Sequence, residues 1–223
     1  MAEENRRDLK MIGETSTAGG IFRNIKVTGE TVFNGDVDCV KLSHIGELEI
    51  KGGLRAEELK ITGECDVQGG LAVGAVSGRG ELKAESGARI EKIKFTGNIE
   101  VSGDCETGTL ELNGAFNIPG LLSSERMEVQ MFGSCKAAEI GGSNLRVRRS
   151  RKSKLLHLFK PGGPIELTAD LIEGDTVDLE YTIAEVVRGN RVTIGPGCRI
   201  GRVEYRGDYT AHKSASVKES VRQ

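Results

Sequence analysis

The chain has 223 residues, a formal net charge of −2, 31 glycines, no Trp and 4% aromatic residues. That length allows one or two domains with a sizeable core, while the near-neutral charge excludes a molecule that binds polyanions over its whole surface. Few aromatics disfavour a core of large rings, and glycine at about twice its usual share points to an architecture of many tight corners.

The first 15 residues, MAEENRRDLKMIGET, are polar and are expected to form a flexible N-terminal segment. They carry no apolar h-region, so no secretory signal is read there. No apolar run approaches the ~20 residues that a membrane-spanning helix needs. Cys39, Cys65, Cys105, Cys135 and Cys198 are odd in number and include no C-x-x-C pair, the pattern of reduced thiols in a cytoplasmic protein rather than a disulfide or zinc framework.

From about residue 16 to residue 147 the chain repeats itself. Gly29, Gly46, Gly63, Gly80, Gly97 and Gly114 stand 17 residues apart. Counted from each, offsets 2 and 4, 8 and 10, and 13 and 15 are apolar in 31 of 36 places; the exceptions are Thr31, His44, Gly78, Thr107 and Ser124. Residues between the members of a pair are mostly charged or polar. Pairs at i, i+2 have the period of a strand with one buried face, and no 3.6-residue stripe persists. Each unit is therefore three short strands separated by corners, with the six glycines as structural corners. Stacked units place each strand beside its equivalent in the next, which makes an all-β, three-sided parallel β-helix, a solenoid of about 17 residues per turn. One turn cannot bury its own inward face, so the pattern must recur. Cys39, Cys65 and Cys105 occupy inward slots as small core residues.

Beyond residue 164 the rhythm returns at Val192 and Ile194, Cys198 and Ile200, Val203 and Tyr205. Counting back one 17-residue period places Val177, Tyr181, Ile183 and Val186 inward, so residues 165–206 are read as further turns. The polar residues 207–223 are expected to form a disordered tail.

Between the two solenoid parts lies a basic excursion, residues 148–164. The stretch Arg146–Lys160 holds four Arg, three Lys and no acid, so the rest of the chain, at −2 − 7 = −9, is acidic. Arg148, Arg149, Arg151, Lys152, Lys154, Leu155, Leu156, Leu158 and Phe159 are candidates for contact with an anionic membrane surface or a partner, the cations drawn to lipid headgroups and the apolar residues inserting at the interface. A solvated excursion tucked against the solenoid is the plainer alternative. Nucleic acid is disfavoured, because no aromatic platform or reading motif accompanies the charge.

The segment VTIGPGCRIG (192–201) is similar to the hexapeptide repeat of left-handed β-helix acyltransferases, which form trimers. That family uses turns of about 18 residues and a histidine base, whereas here the repeat is 17 and no histidine (His44, His157 or His212) has a partner group that the sequence places nearby. No phosphate-binding glycine loop is present. No catalytic, cofactor-binding or metal-binding residue is expected, and the chain is read as non-enzymatic.

The Gly-delimited short strands, with phrases such as LKITGECDVQGGLAV (59–73) and IKFTGNIEVSGDCETGTLELNG (93–114), resemble the bactofilins, and most of all their larger members in spore-forming Gram-positive bacteria. The resemblance implies a right-handed β-helix and a scaffold of nucleotide-independent cytoskeletal filaments that supports cell shape, envelope organisation or motility. It implies no cofactor, a cytoplasmic location with peripheral association at the inner face of the cell membrane, and partners that are first of all copies of the chain itself, joined through end turns, and then a second bactofilin-like protein. Ile21, Phe22, Ile25 and Val27 at one end, and Val192, Ile194, Val203 and Tyr205 at the other, are the matching polymer-interface candidates. A hexapeptide-type trimeric acyltransferase and a non-polymerising, partner-binding solenoid stand as alternatives.

Overall fold

The computed structural model describes residues 6–150 and 164–223. In chain order the strands are β1 (Arg7–Ile12), β2 (Thr15–Thr17), β3 (Gly20–Phe33), β4 (Val37–Ile50), β5 (Leu54–Val67), β6 (Leu71–Ala84), β7 (Ala88–Val101), β8 (Cys105–Met131), β9 (Cys135–Arg149), β10 (Leu167–Leu179), β11 (Thr182–Ile194), β12 (Arg199–Tyr205), β13 (Tyr209–Ala211) and β14 (Ser216–Arg222). They pair in the order β1-β3-β4-β5-β6-β7-β8-β9-β10-β11-β12-β14, with β2 on β3 and β13 on β11. From β3 to β8 the pairing is parallel at a constant 17-residue offset, as in Leu42↔Leu59, Leu59↔Val76 and Val76↔Ile93. The molecule is an all-parallel β-solenoid.

Of the 36 inward slots in the six regular turns, 35 are buried, including Thr31, His44, Thr107 and Ser124; only Gly78 is partly exposed. Three inward pairs per turn give three walls around one core that runs without a break from Phe22 to Val203. At about 1.5–3 kcal/mol for each large apolar side chain buried, this column dominates the stability. Surface ion pairs between adjacent turns, such as Arg89–Glu106 at 2.9 Å, contribute little because both partners are exposed.

The corners differ from the expectation of three separate strands per turn. A strand such as β4 runs on through two corners, with only Val40 left out of the ladder at the first of them, and the strand ends at the third corner, as at Lys51–Gly53. Glycine explains this at Gly63, whose φ of +120° turns the chain while it stays in register between Gly46 and Gly80.

The turns also change length. Leu121 pairs with Glu139, an 18-residue step, after an irregularity between Ile118 and Leu121. Leu167 pairs with Thr182, a 15-residue step, and Val187 pairs with Val203, a 16-residue step. The 17-residue count back therefore fails. Val177 is inward but in register with Val192, so Leu179 takes the slot below Ile194, and Thr182, Ala184 and Val187 take the slots expected for Tyr181, Ile183 and Val186. Tyr181 instead sits at the shortened corner with φ +48°, a conformation uncommon for a non-glycine residue.

The segments expected to be flexible at the start and disordered at the end carry strands among the described residues. β1 pairs with β3, and β14 pairs with β12 at the 17-residue offset Ile200↔Val217. Ladder hydrogen bonds come from the backbone, so a polar stretch can join the sheet without filling the core.

His44 is the least comfortable inward residue. It stacks in register between Val27 and Ile61, is 1% exposed, and neither ring nitrogen makes a well-formed hydrogen bond. Burial lowers its pKa from the ordinary 6.5, with the Glu47 backbone opposing in part. A depressed folded-state pKa means that the unfolded chain binds the proton more tightly. Stability is then full above about pH 6.5 and falls as the pH drops below it. His44→Leu is expected to raise unfolding free energy by about 1–2 kcal/mol at neutral pH, by removing an unsatisfied polar group. It should also flatten the loss between about pH 6.5 and pH 5, as read by urea unfolding across that range.

Candidate assembly surfaces

Among the described residues the two ends of the solenoid are open sheet edges. At the N-terminal end, β1 carries Leu9 and Met11, which pack partly against the core, and Ile12, which is 67% exposed. The edge is fastened by Asp8, whose Oδ1 accepts from the Asn24 backbone N–H and side-chain amide at 3.2 and 2.9 Å. Arg7 lies 5.7 Å from the centre of the Phe22 ring. At the C-terminal end, Ala215 and Val217 pack partly against the core, and Tyr205 stacks on Tyr209 with ring centres 5.1 Å apart. Glu204 ties the last turns together, accepting from Arg188 at 2.8 Å and from Gln223 at 2.9 Å. The Arg188 hydrogen bond holds its carboxyl below the usual range.

This geometry moves the end faces one turn outward from the expected interface residues. Phe22, Ile25 and Val27 are buried beneath β1, and Ile21 is exposed on a side wall. Val192, Ile194 and Val203 are buried beneath β13 and β14, and Tyr205 is partly covered. Leu9, Met11 and Val217, which lie on the outermost strands among the described residues, were not among the residues the sequence singled out. Their signals are an i, i+2 pair in RDLKMI and a 17-residue step from Ile200.

The basic stretch divides in two. Arg148 is within 2.6 Å of Asp178 and 4.0 Å of Glu180, and Arg146 within 3.4 Å of Asp178. The Arg149 guanidinium lies 3.6 Å from the centre of the Tyr181 ring. Arg146 and Arg148 are thus paired with acids of the next turn, and Arg149 rests on its aromatic ring. The remaining lipid or partner candidates, Arg151, Lys152, Lys154, Leu155, Leu156, Leu158 and Phe159, lie outside the described residues.

One side wall carries an open trough of about 840 Å³, lined by Gly53, Gly70 and Gly87, with Asp36 and Asp104 towards its ends. Both carboxylates cap the corner backbone: Asp36 accepts from the Gly53 N–H at 2.7 Å and Asp104 from the Leu121 N–H at 2.8 Å. Among the described residues no group of three His, Cys, Asp or Glu is placed to hold a metal. His44 is in the core, His212 bonds Ser214 at 2.8 Å in the last turn, and His157 lies outside the described residues. All five cysteines are buried and free, and burial pushes the thiols of Cys39, Cys65, Cys105 and Cys135 up to about 12. No helix among the described residues is long and apolar enough to cross a membrane.

These features belong to an all-parallel β-solenoid. The chain is 46% identical to the "Uncharacterized protein YhbF" of Bacillus subtilis (strain 168) over 233 aligned positions, covering 96% of this chain and 97% of YhbF, and it belongs to the YhbF family. It is also 46% identical over 106 residues to the "Uncharacterized protein YhbE" of the same organism, an alignment covering 47% of this chain and 44% of YhbE. The matched part is thus less than half of YhbE. No family model and no solved structure matches the chain.

Proposed function

We propose that the protein is a bactofilin-type, non-enzymatic scaffold whose copies join end to end into filaments without nucleotide. It acts in the cytoplasm, at the inner face of the membrane, in support of cell shape, envelope organisation or motility. The observation that carries this reading is the pair of unpaired edges. β1 and β14 are the two ends of the sheet order, each hydrogen-bonded on one side only, and no helix covers either among the described residues. An open edge is a template for a further strand. A copy stacked on each edge continues the ladder and buries Leu9, Met11 and Val217.

Electron microscopy of the purified protein with and without nucleotide tests the reading, and filaments of equal length in both are expected. Val217→Asp removes an apolar contact of about 1.5 kcal/mol and puts a charge in the junction. It is expected to raise the concentration needed for assembly at least about tenfold while the circular dichroism spectrum is unchanged. Discrete trimers that turn over an acyl thioester would overturn the scaffold reading in favour of an acyltransferase. A monomer at all concentrations would leave a partner-binding solenoid.

A further inference from the structure

The outward residues of the walls are sorted by charge in a way the core does not require. On the first wall, which follows each corner glycine, Glu30, Glu47, Glu64 and Glu81 stand in register on successive strands. Beside them runs a second column, Glu49, Asp66, Lys83 and Glu100. Between residues 30 and 100 these two columns hold seven acids and one base, Lys83, which is bonded to Glu81. On the third wall, which precedes each corner glycine, Lys26, Lys60 and Lys94 alternate with Ser43 and Ser77 in one column. Lys41, Lys92 and Arg79 lie in the columns on either side. Between residues 24 and 96 this wall holds six bases and one acid, Glu58, which is paired with Lys41.

Neighbouring strands of a sheet lie about 4.8 Å apart, and like charges directly opposite one another are destabilising. The four-glutamate column therefore repels itself. Glu30, Glu47, Glu64, Lys26, Lys60 and Lys92 form no ion pair among the described residues. The first and third walls meet at the glycine corner of one molecule, where they face away from each other and cannot neutralise one another. Both have the same axial repeat, because both are set by the same turns.

We propose that the acidic first wall of one copy docks on the basic third wall of a second copy, so that solenoids associate side by side. The occupant follows from charge complementarity and matched pitch: a second copy with its axis parallel presents lysines at every second turn to a column that holds an acid at every turn, so each lysine meets an acid and a slip of one whole turn keeps the match. The contact is heterologous and leaves one wall of each sign free on the outer copies. It therefore propagates sideways into a ring or a ribbon. It does not depend on end-to-end stacking.

Electron microscopy reads the two separately, because particle length reports end contacts and particle width reports wall contacts. Wild-type protein is expected to be several solenoids wide at roughly 0.02 M salt and one solenoid wide at roughly 0.5 M, where charges are screened within a few ångströms. The triple variant Glu30→Lys, Glu47→Lys, Glu64→Lys and the triple variant Lys26→Glu, Lys60→Glu, Lys94→Glu are each expected to stay single at low salt. A mixture of the two, in which each supplies the missing sign, should widen again. The variant Asp38→Lys, Glu57→Lys, Glu106→Lys changes net charge as the first variant does, on the trough wall and its corner, and is expected to bundle like wild type. The neutral variant Glu30→Gln, Glu47→Gln, Glu64→Gln should lose width while melting no lower than wild type, which separates lost docking from lost folding. Single-solenoid wild-type particles at low salt overturn the proposal. So does loss of width in the trough variant, since net charge rather than the wall would then be responsible.

Discussion

Gly63→Ala is expected to destabilise the solenoid by about 4 kcal/mol, whereas Gly70→Ala, seven residues away, should change stability by less than about 1 kcal/mol. The two glycines are equivalent in composition and opposite in circumstance. Gly63 has φ +120°, and a Cβ there would be driven into the carbonyl oxygen of Gly46 on the turn before. Holding an L-residue in such a conformation costs about 1–3 kcal/mol before any collision. The collision cannot relax by a rotamer change, because the opposing atom is backbone held by its own ladder. A Cβ on Gly70 meets no atom within 4 Å, and its φ is one that alanine accepts. Differential scanning calorimetry of the two variants decides the matter. For a chain of this length each kcal/mol moves the midpoint by about 2–4 °C, so Gly63→Ala should melt about 8–16 °C lower. Equal effects would mean that the corner glycines are a compositional habit rather than a backbone requirement.

The regular turns were legible because one constraint is written six times. His44, Thr31 and Ser124 look like failures of an apolar pattern, yet their offsets put them inward, and they are buried. Where the constraint loosens, so does the reading. Thr182 and Ala184 are poor apolar signals, and the 15-residue step that places them inward is set by the corner at Tyr181, whose left-handed backbone no residue preference announces. The end strands escaped for a related reason. In SASVKESVR only Ala215 and Val217 repeat the core, while Ser220 and Arg222 stand where Val203 and Tyr205 stood one turn earlier. Backbone hydrogen bonds carry β14 past the point where side chains stop reporting it, so the outermost turn, where assembly would occur, is the least visible in the sequence. The charged walls need three-sidedness before they can be seen. Read along the chain, Lys60 and Glu64 are near neighbours of opposite sign, and only the glycine corner between them assigns them to different faces.

The second large effect is expected at Phe95, where the core depends on a missing side chain. Phe95 is 1% exposed and sits in register on Gly78 of the turn before and Leu112 of the turn after. Gly78 occupies an inward slot that every other regular turn fills with a side chain, so the space on that side of the ring is not shared with a neighbour of comparable size. Phe95→Ala therefore leaves a void two turns deep, which parallel strands pinned on both edges cannot close. The expected loss is about 4–5 kcal/mol, at the upper end for such truncations, against about 1–2 kcal/mol for Phe95→Leu. A simple volume argument holds that adding a methyl group at Gly78 would refill part of the void. The backbone argues otherwise: Gly78 has φ +133°, and a Cβ there would strike the Ile61 carbonyl oxygen. The double variant Gly78→Ala, Phe95→Ala should accordingly unfold at lower urea than Phe95→Ala alone, by a further 2 kcal/mol or so. Recovery of stability in the double variant would show that Gly78 exists to make room for the ring. Further loss would show that the backbone required glycine and that phenylalanine fills the space this left.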